Sequence, residues 1–356
     1  MRRGIAVEAV ARVTAPEPVR RSGVLDAGSL GGRADDPTNL RRAEGAALAR
    51  AKKPGHRHRR LDGGCGNAVM PLIWEGMDGA PVMTAIKIEG LSDAEYDNRG
   101  AFAQSAEGLY AECARRSRAF NERAGIRMDF AYGPKPRNRI DFVPGEEGAP
   151  TLYHIHGGYW QWNDKEDYSF VGEALHAKGL NLAIVEHTLA PDQTMTGIVD
   201  EIRAGLSWLR DNLSDLGVSN RDIIVSGHSS GGHLCSCMKS EDGVIGVVPV
   251  SGIFDLRPIG QIYVNDVVAM DAVEIARHSP LLHPLDTSGF AVVGYGESEL
   301  ESFRAQSRSY AEALGAAGGD VTLVPCPGRD HFDVLYELSA ADGLICRAVA
   351  SKLGLD

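Results

Sequence analysis

The 356-residue chain predicts an α/β fold with a central, mainly parallel sheet and helices on both faces. Two observations carry this expectation. From Leu152 onward, short apolar runs recur at Leu152 to Ile155, Leu182 to Val185, Ile223 to Val225, Val244 to Pro249, Phe290 to Gly294 and Val321 to Pro325. Near-continuous apolar runs of this length suit strands buried on both faces. Between them lie helix-compatible stretches, including Ile198 to Asn212 and the segment after Ser229, and parallel strands need such crossovers.

The elements are taken in chain order. Folding is expected to begin near Leu91, where Ser92 and Glu95 fit a capping box. One or two helices follow through about Glu122, despite an internal glycine, and residues 91–122 are read as a contribution to a pocket rim. Met128 to Tyr132 and Arg139 to Val143 read as paired edge strands joined through a Pro/Gly/Asn turn. Residues 260–285 interrupt the later alternation with irregular or helical sequence, a second rim contribution. The last helix is expected over much of Asp333 to Leu353. There is no internal repeat.

Composition divides the chain. Residues 1–82 carry 14 Lys/Arg and 9 Asp/Glu, and the remainder 23 and 39, so the net charges are +5 and −16, summing to −11. With glycine-rich tracts at Gly28 to Gly32 and Gly63-Gly64, residues 1–82 read as a disordered or extraneous N-terminal extension and residues 83–356 as one catalytic domain. Met83 is an alternative start. The basic tract Lys52 to Arg60 has no recognition module beside it, and the acidity of the larger region argues against nucleic-acid binding. There is no signal-peptide core or membrane-length apolar segment. The six cysteines are scattered. Cys235 and Cys237 are two apart on a helix and point to different faces, so they do not chelate together; reduced thiols in a cytoplasmic protein are expected, with Cys235 or Cys346 buried.

The chemistry-bearing motif is Gly227-His228-Ser229-Ser230-Gly231, directly after the run Asp222 to Val225. An isolated G-x-S-x-G is common. Strand, sharp turn and helix together give it weight, because that bend lifts a serine oxygen above the sheet and tolerates only small neighbours. Ser229 is therefore the expected nucleophile. One strand-helix-strand-helix unit earlier, Leu152 to Ile155 runs into His156-Gly157-Gly158-Tyr159-Trp160. The backbone N–H groups of Gly157 and Gly158, with that of Ser230, are the expected oxyanion donors.

A relay needs an acid and then a base after the nucleophile. Glu297 stands in the loop beyond Phe290 to Gly294, and His331 in Pro327 to Phe332, so the expected triad is Ser229, Glu297 and His331. Glu299, Glu301 and Asp330 compete as the acid, although Asp330 adjoins the histidine too closely to orient its ring. Tyr159, Trp160 and Trp162 occupy the oxyanion loop and are the expected wall for a planar substrate, with core anchoring of Trp160 as the alternative. His156 is read as a brace for that loop, His228 as pointing away from Ser229, and His233 as packing. His154 and His156 share a strand face but do not make a metal site, and the mechanism requires no metal or cofactor.

With Tyr159-Trp160, the segment 227–234 and the stretch Gly294 to Gln306, the chain resembles the kynurenine formamidase-like branch of the α/β-hydrolase superfamily, near the hormone-sensitive-lipase-type esterases, over roughly residues 91–353. Lys165 to Phe170 after the oxyanion loop and Leu189-Ala190-Pro191 after the next strand fit that branch. The resemblance carries nucleophile and base onto Ser229 and His331, and the acid onto Glu297, where aspartate is usual. Ser230 stands where alanine is frequent and His187 where tyrosine is frequent. The resemblance implies an α/β-hydrolase fold and serine-dependent cleavage of a small aryl formamide through an acyl-enzyme, and it is compatible with a homodimer. The alternatives are a carboxylesterase or another small-molecule amidase, and, from a different class, a noncatalytic ligand-binding protein. In every case the expected partner is a small molecule rather than nucleic acid or membrane.

Overall fold

The computed structural model describes residues 88–355, all within one compact unit. The expected extension over 1–82, its basic tract, the alternative start at Met83 and Cys65 lie outside the described residues.

The described chain opens with a 3-10 turn, Asp93–Glu95, followed by α1 (Asn98–Ala101) and α2 (Ala103–Ala124). Ser92 and Glu95 form no capping box. The Ser92 side chain makes no cap hydrogen bond, because the turn closes instead through Glu95 N–H to the Ser92 carbonyl. The side-chain cap comes later, where Asp97 accepts from Gly100 N–H at 2.9 Å and fixes α1. Then come β1 (Arg127–Ala131), β2 (Arg139–Val143), β3 (Thr151–Ile155), α3 (Glu173–Ala177), β4 (Asn181–Val185), α4 (Met195–Asn212), β5 (Ile223–His228), α5 (Ser230–Cys237) and β6 (Val244–Val250). The interrupting segment holds two short α-helices, α6 (Asn265–Val268) and α7 (Ala272–Arg277), with 3-10 turns at Ile259–Gln261 and Pro280–Leu282. The chain ends with β7 (Phe290–Gly296), α8 (Glu301–Ala316), β8 (Asp320–Cys326), α9 (Tyr336–Ser339) and α10 (Leu344–Leu353). The single last helix expected from sequence is thus broken. Gly343 presses so closely on the Glu337 carbonyl that a Cβ there would lie 2.3 Å from it, and the chain bends at that contact.

The strands form one sheet in the order β1-β2-β4-β3-β5-β6-β7-β8. From β4 to β8 every pairing is parallel, while β1 and β2 add an antiparallel edge. Alternate residues of the central strands build two cores. Leu152, Leu182, Ile184, Ile224, Val248 and Val292 face α2, α3 and α10; Tyr153, Ala183, Val185, Val225, Val247 and Val293 face α4, α5 and α8. Each fully buried branched side chain contributes about 1.5–3 kcal/mol, and both layers are needed because the central strands are buried on both faces. Among the described residues no helix is long and apolar enough to cross a membrane.

Four histidines lie in these layers with their rings out of water. His154 bridges β3 to β5 through Ser226 Oγ at 2.9 Å, and His187 meets the Thr188 carbonyl at 3.0 Å. His228 reaches the His331 carbonyl at 2.7 Å and His233 the His278 carbonyl at 2.6 Å. Burial disfavours their charged forms, which lowers His154 to about 3, His187 and His233 to about 4, and His228 well below its usual value. In the unfolded chain the same groups take up protons near pH 6.5. Below that pH the unfolded state therefore binds more protons, and stability falls as pH falls toward the folded values. In urea unfolding, stability is expected to fall progressively from pH 6.5 to 4.5, the slope rising toward roughly 1 kcal/mol per pH unit for each such histidine. A flat profile over that interval would contradict their neutral burial.

Candidate active site

Ser229 sits at the C-terminal end of β5, with φ +57° and ψ −119°. This left-handed backbone is strained for a residue with a Cβ, and it persists only where the surroundings impose it. They do so by contact. Ser229 N–H donates to the Val250 carbonyl at 2.9 Å, and the Ser229 carbonyl accepts from His233 N–H as α5 begins. A Cβ on Gly231 would lie 2.2 Å from the Ile155 carbonyl, and one on Gly227 would lie 2.1 Å from the Gly231 carbonyl. Glycine at 227 and 231 is thus required by the approach of backbone on backbone.

His331 follows β8 and places Nε2 3.0 Å from Ser229 Oγ. Its other nitrogen, Nδ1, lies 3.1 Å from Glu299 Oε2. The expected acid, Glu297, is not there: its side chain is exposed. The correction has a backbone cause. Glu297 N–H still bonds to the Cys326 carbonyl and Ser298 N–H to the Arg329 carbonyl, so the chain keeps following the β8 side past both residues. It turns back only when Glu299 N–H reaches the Gly296 carbonyl. That turn buries the Glu299 carboxylate, whose Oε1 accepts from Ser251 Oγ at 2.5 Å and Gly296 N–H at 2.6 Å. Glu301 is taken by Arg304 and Arg308, and Asp330 caps its own loop by accepting from Phe332 and Asp333 N–H. His228, read as pointing away, instead holds the His331 backbone carbonyl, and Phe303 packs on the imidazole at 4.4 Å.

The loop after β3 brings His156 to Trp160 against this pair. Gly158, Tyr159 and Trp160 have φ of +122°, +49° and +59°, a left-handed run that needs external support. Trp160 N–H donates to Ser230 Oγ at 3.3 Å, and the Trp160 carbonyl accepts from Ala190 N–H at 2.8 Å. The Gly157 carbonyl is gripped from two sides, by His156 Nδ1 at 2.9 Å and Asn163 Nδ2 at 3.0 Å. Fixing that carbonyl fixes the peptide plane, and with it the direction of the Gly158 N–H. Behind the grip, His156 Nε2 meets Glu186 Oε1 at 2.8 Å, and Glu186 also pairs with Arg137 at 2.8 Å and accepts Lys165 N–H. Burial alone would lower His156, but the Glu186 carboxylate outweighs it and the histidine is raised. Burial would likewise raise Glu186, and the charge of His156 and its hydrogen bond, with the charge of Arg137, hold it at about 2. A cationic His156 donates from both nitrogens, which suits an Nδ1–H directed at a carbonyl. His187 stacks on His156 at 4.9 Å and stays neutral.

Asp164, Glu166 and Glu186 are the group of carboxylates close enough to share a cation among the described residues. Arg137 already pairs with Asp164 and Glu186, and Lys165 with Glu166.

The relay opens into a narrow cavity of about 30 Å³. Tyr159 and Trp162 line it, and Tyr159 is fixed by donating its hydroxyl to the Tyr96 carbonyl at 2.6 Å. Trp160 does not line it. Only 1 % exposed, its indole lies edge-on to His233 in the core beneath the loop, which is the anchoring alternative. Chain direction decides this, because side chains of successive residues in the left-handed run leave on different sides. The early helices do border the cavity, through Asn98, Arg99, Leu109 and Tyr110, with Tyr168 and Asn163 from the segment after the loop. Residues 260–285 do not line it. They instead buttress the loop from outside, where the Val264 carbonyl accepts from Gln161 Nε2. Asn163, Glu186, Ser251 and Glu299 were not singled out as site residues by sequence reasoning. Only Glu299 had a sequence signal, its place among the competing acids.

The model of the BD-FAE family matches residues 142–244, from β2 through α5 to the start of β6. The kynurenine formamidase of Salmo salar is 30% identical over 244 residues, covering 64% of this chain and 82% of that protein. The kynurenine formamidase of Danio rerio is 28% identical over 243 residues, with the same shares. Among solved structures, the Pyrobaculum calidifontis esterase superposes with a TM-score of 0.56 at 18% identity, over 70% of this chain and 94% of that one, a likeness of fold. With these relatives, the chain is an amide or ester hydrolase and belongs to the kynurenine formamidase family within the α/β-hydrolase superfamily.

Proposed function

We propose that this protein cleaves a small aryl formamide, with Ser229 as nucleophile, His331 as general base and acid, and Glu299 as the group that orients and stabilises the imidazolium. The observation that carries the reading is the continuous relay from Ser229 Oγ through His331 to the buried carboxylate of Glu299 at 3.0 and 3.1 Å. His331 takes the serine proton as Oγ bonds to the formyl carbon. The oxyanion then forms opposite the N–H groups of Gly157, Gly158 and Ser230. Ser230 is the first residue of α5, so its N–H has no acceptor within the helix. As the C–N bond breaks, His331 returns the proton to the leaving arylamine. Water, deprotonated by the same histidine, attacks the formyl-enzyme, formate leaves, and Oγ recovers its proton.

Ser229 opens into the same cavity as the bulky rings of Tyr159, Trp162, His228 and Phe332, which favours a small acyl group such as formyl over a longer one. A cytoplasmic location fits the five described cysteines, all of which are free.

Purified enzyme is expected to release formate from N-formyl-L-kynurenine, and Ser229→Ala to abolish that release; an unchanged rate in the alanine variant would overturn the reading. Glu299→Gln is expected to lower kcat by about 10³- to 10⁴-fold, as loss of the orienting carboxylate does in such relays, whereas Glu297→Gln stays within about twofold. Reversal of that order in steady-state assays would return the acid role to Glu297. Across aryl esters of one phenol, kcat/KM is expected to fall from formyl to butyryl by at least about tenfold. A butyryl ester cleaved as well as the formyl ester would remove the size argument.

A further inference from the structure

A second cavity lies apart from the relay. Its volume is about 550 Å³, within the range of sites for small organic molecules, and it shares no lining residue with the catalytic cavity. Its walls come from α4, the C-terminal end of α5 with the residues just beyond, the end of α7 with the chain that follows, and α8. Val199, Pro280, Pro284 and Leu285 give it apolar surface, while Arg203, Lys239 and Arg277 bring positive charge. Two carboxylates also line it. Asp200 pairs with Arg203 at 2.8 Å, and Asp286 turns onto Ser288, accepting from its N–H and Oγ at 2.8 and 2.9 Å. In a chain whose net charge is −11, this lining is net positive.

Lys239 is the informative residue. It is only 5 % exposed, yet among the described residues its ammonium has one acceptor, the Ser288 carbonyl at 2.5 Å, and no carboxylate within ion-pair distance. The acids whose charges reach it stand farther off and are engaged elsewhere, Asp286 with Ser288 and Asp320 with Lys352. Burial accordingly holds the amine below the usual lysine value. Lysines are seldom buried without a partner, and a methionine would fill the same space without the desolvation cost. Arg277, exposed in the last turn of α7, makes no hydrogen bond or ion pair among the described residues. Two open ammonium donors and an unspent guanidinium fork, bordering a cavity with apolar walls, complement a ligand with an anionic head and an apolar body.

We propose that this cavity is a binding site, separate from the catalytic one, for a small organic anion. Its carboxylate or phosphate head pairs with Lys239 and Arg277, and its apolar body lies on Val199, Pro280, Pro284 and Leu285. Because the two cavities share no lining residue, the anion binds without displacing substrate. Such a site is independent of which amide or ester the relay cleaves.

Isothermal titration calorimetry of the full-length protein with octanoate, octyl phosphate, neutral 1-octanol and acetate tests the site. One or both of the eight-carbon anions is expected to bind at least about tenfold more tightly than 1-octanol or acetate, and to weaken as salt rises from 0.05 to 0.5 M. The tighter of the two identifies the head group. Lys239→Met and Arg277→Gln are each expected to lower that affinity at least about fivefold, while kcat/KM for an aryl ester stays within about twofold of the parent. Arg277 is exposed and unpaired, so its variant keeps the fold; Lys239→Met is expected to hold or raise Tm, because an unpaired buried ammonium gives way to an apolar group. Absence of saturable binding by either anion, equal affinity for 1-octanol, or binding unchanged in either variant overturns the site. Anion binding that competes with the ester and ignores both substitutions places the anion in the catalytic cavity and overturns it as well.

Discussion

The site depends on how closely two backbones approach. The turn after β5 and the loop after β3 meet where Gly231 faces the Ile155 carbonyl and Gly157 faces Ser229 and His228. Parallel pairing of β3 with β5, in the register Ile155 opposite Gly227, brings the two strand ends to the same height. Given that register, no side chain fits between them, and the strained φ of Ser229 is what remains for the chain to adopt. Replacing the glycines would push Ser229 away from the loop after β3 before it changed any other side chain of the site.

Strain of this kind must be held by something stronger than the local sequence. Here the support is a buried polar network reaching from the oxyanion loop to the antiparallel edge of the sheet. His156, Glu186 and Arg137 form one part. Lys165, 1 % exposed at its side chain, forms another with Asp141 at 2.9 Å, Asp129 at 3.0 Å and Glu166 at 2.9 Å. Such pairs add little net stability relative to an apolar core, but breaking one leaves an uncompensated buried charge, at a cost of about 3–5 kcal/mol. The network therefore specifies position more than it adds stability, which is what a loop of left-handed residues needs. β1 and β2, which contribute nothing to the relay, have their functional reason in these contacts.

The parts of the site were not equally legible. Ser229 and the glycines around it are marked locally, because the steric demand of the turn falls on residues two positions away. His331 was readable from strand order, since it follows the last strand. Glu299 was not separable from Glu297 by the same reasoning: both stand beyond β7, and the choice turns on hydrogen bonds from 297 and 298 to residues 326 and 329. Trp160 and Trp162 are likewise alike in sequence and opposite in fate, one under the loop and one on the cavity wall. Asn98 and Arg99 lay within a segment recognisable as a rim, yet nothing in their neighbourhood distinguishes them from other polar residues of a short helix.

The amino-acid pattern carries the α/β class, the strand and helix order, and the places of Ser229, of His331 and of the loop that meets them. These follow from apolar runs and from steric limits that act over a few residues. Tertiary contacts alone place Glu299 rather than Glu297 against His331, close the grip on the Gly157 carbonyl and settle the fate of each aromatic ring. Most of these depend on contacts between segments tens of residues apart, set by strand register and by where the chain turns back, and neither quantity is encoded in the local pattern.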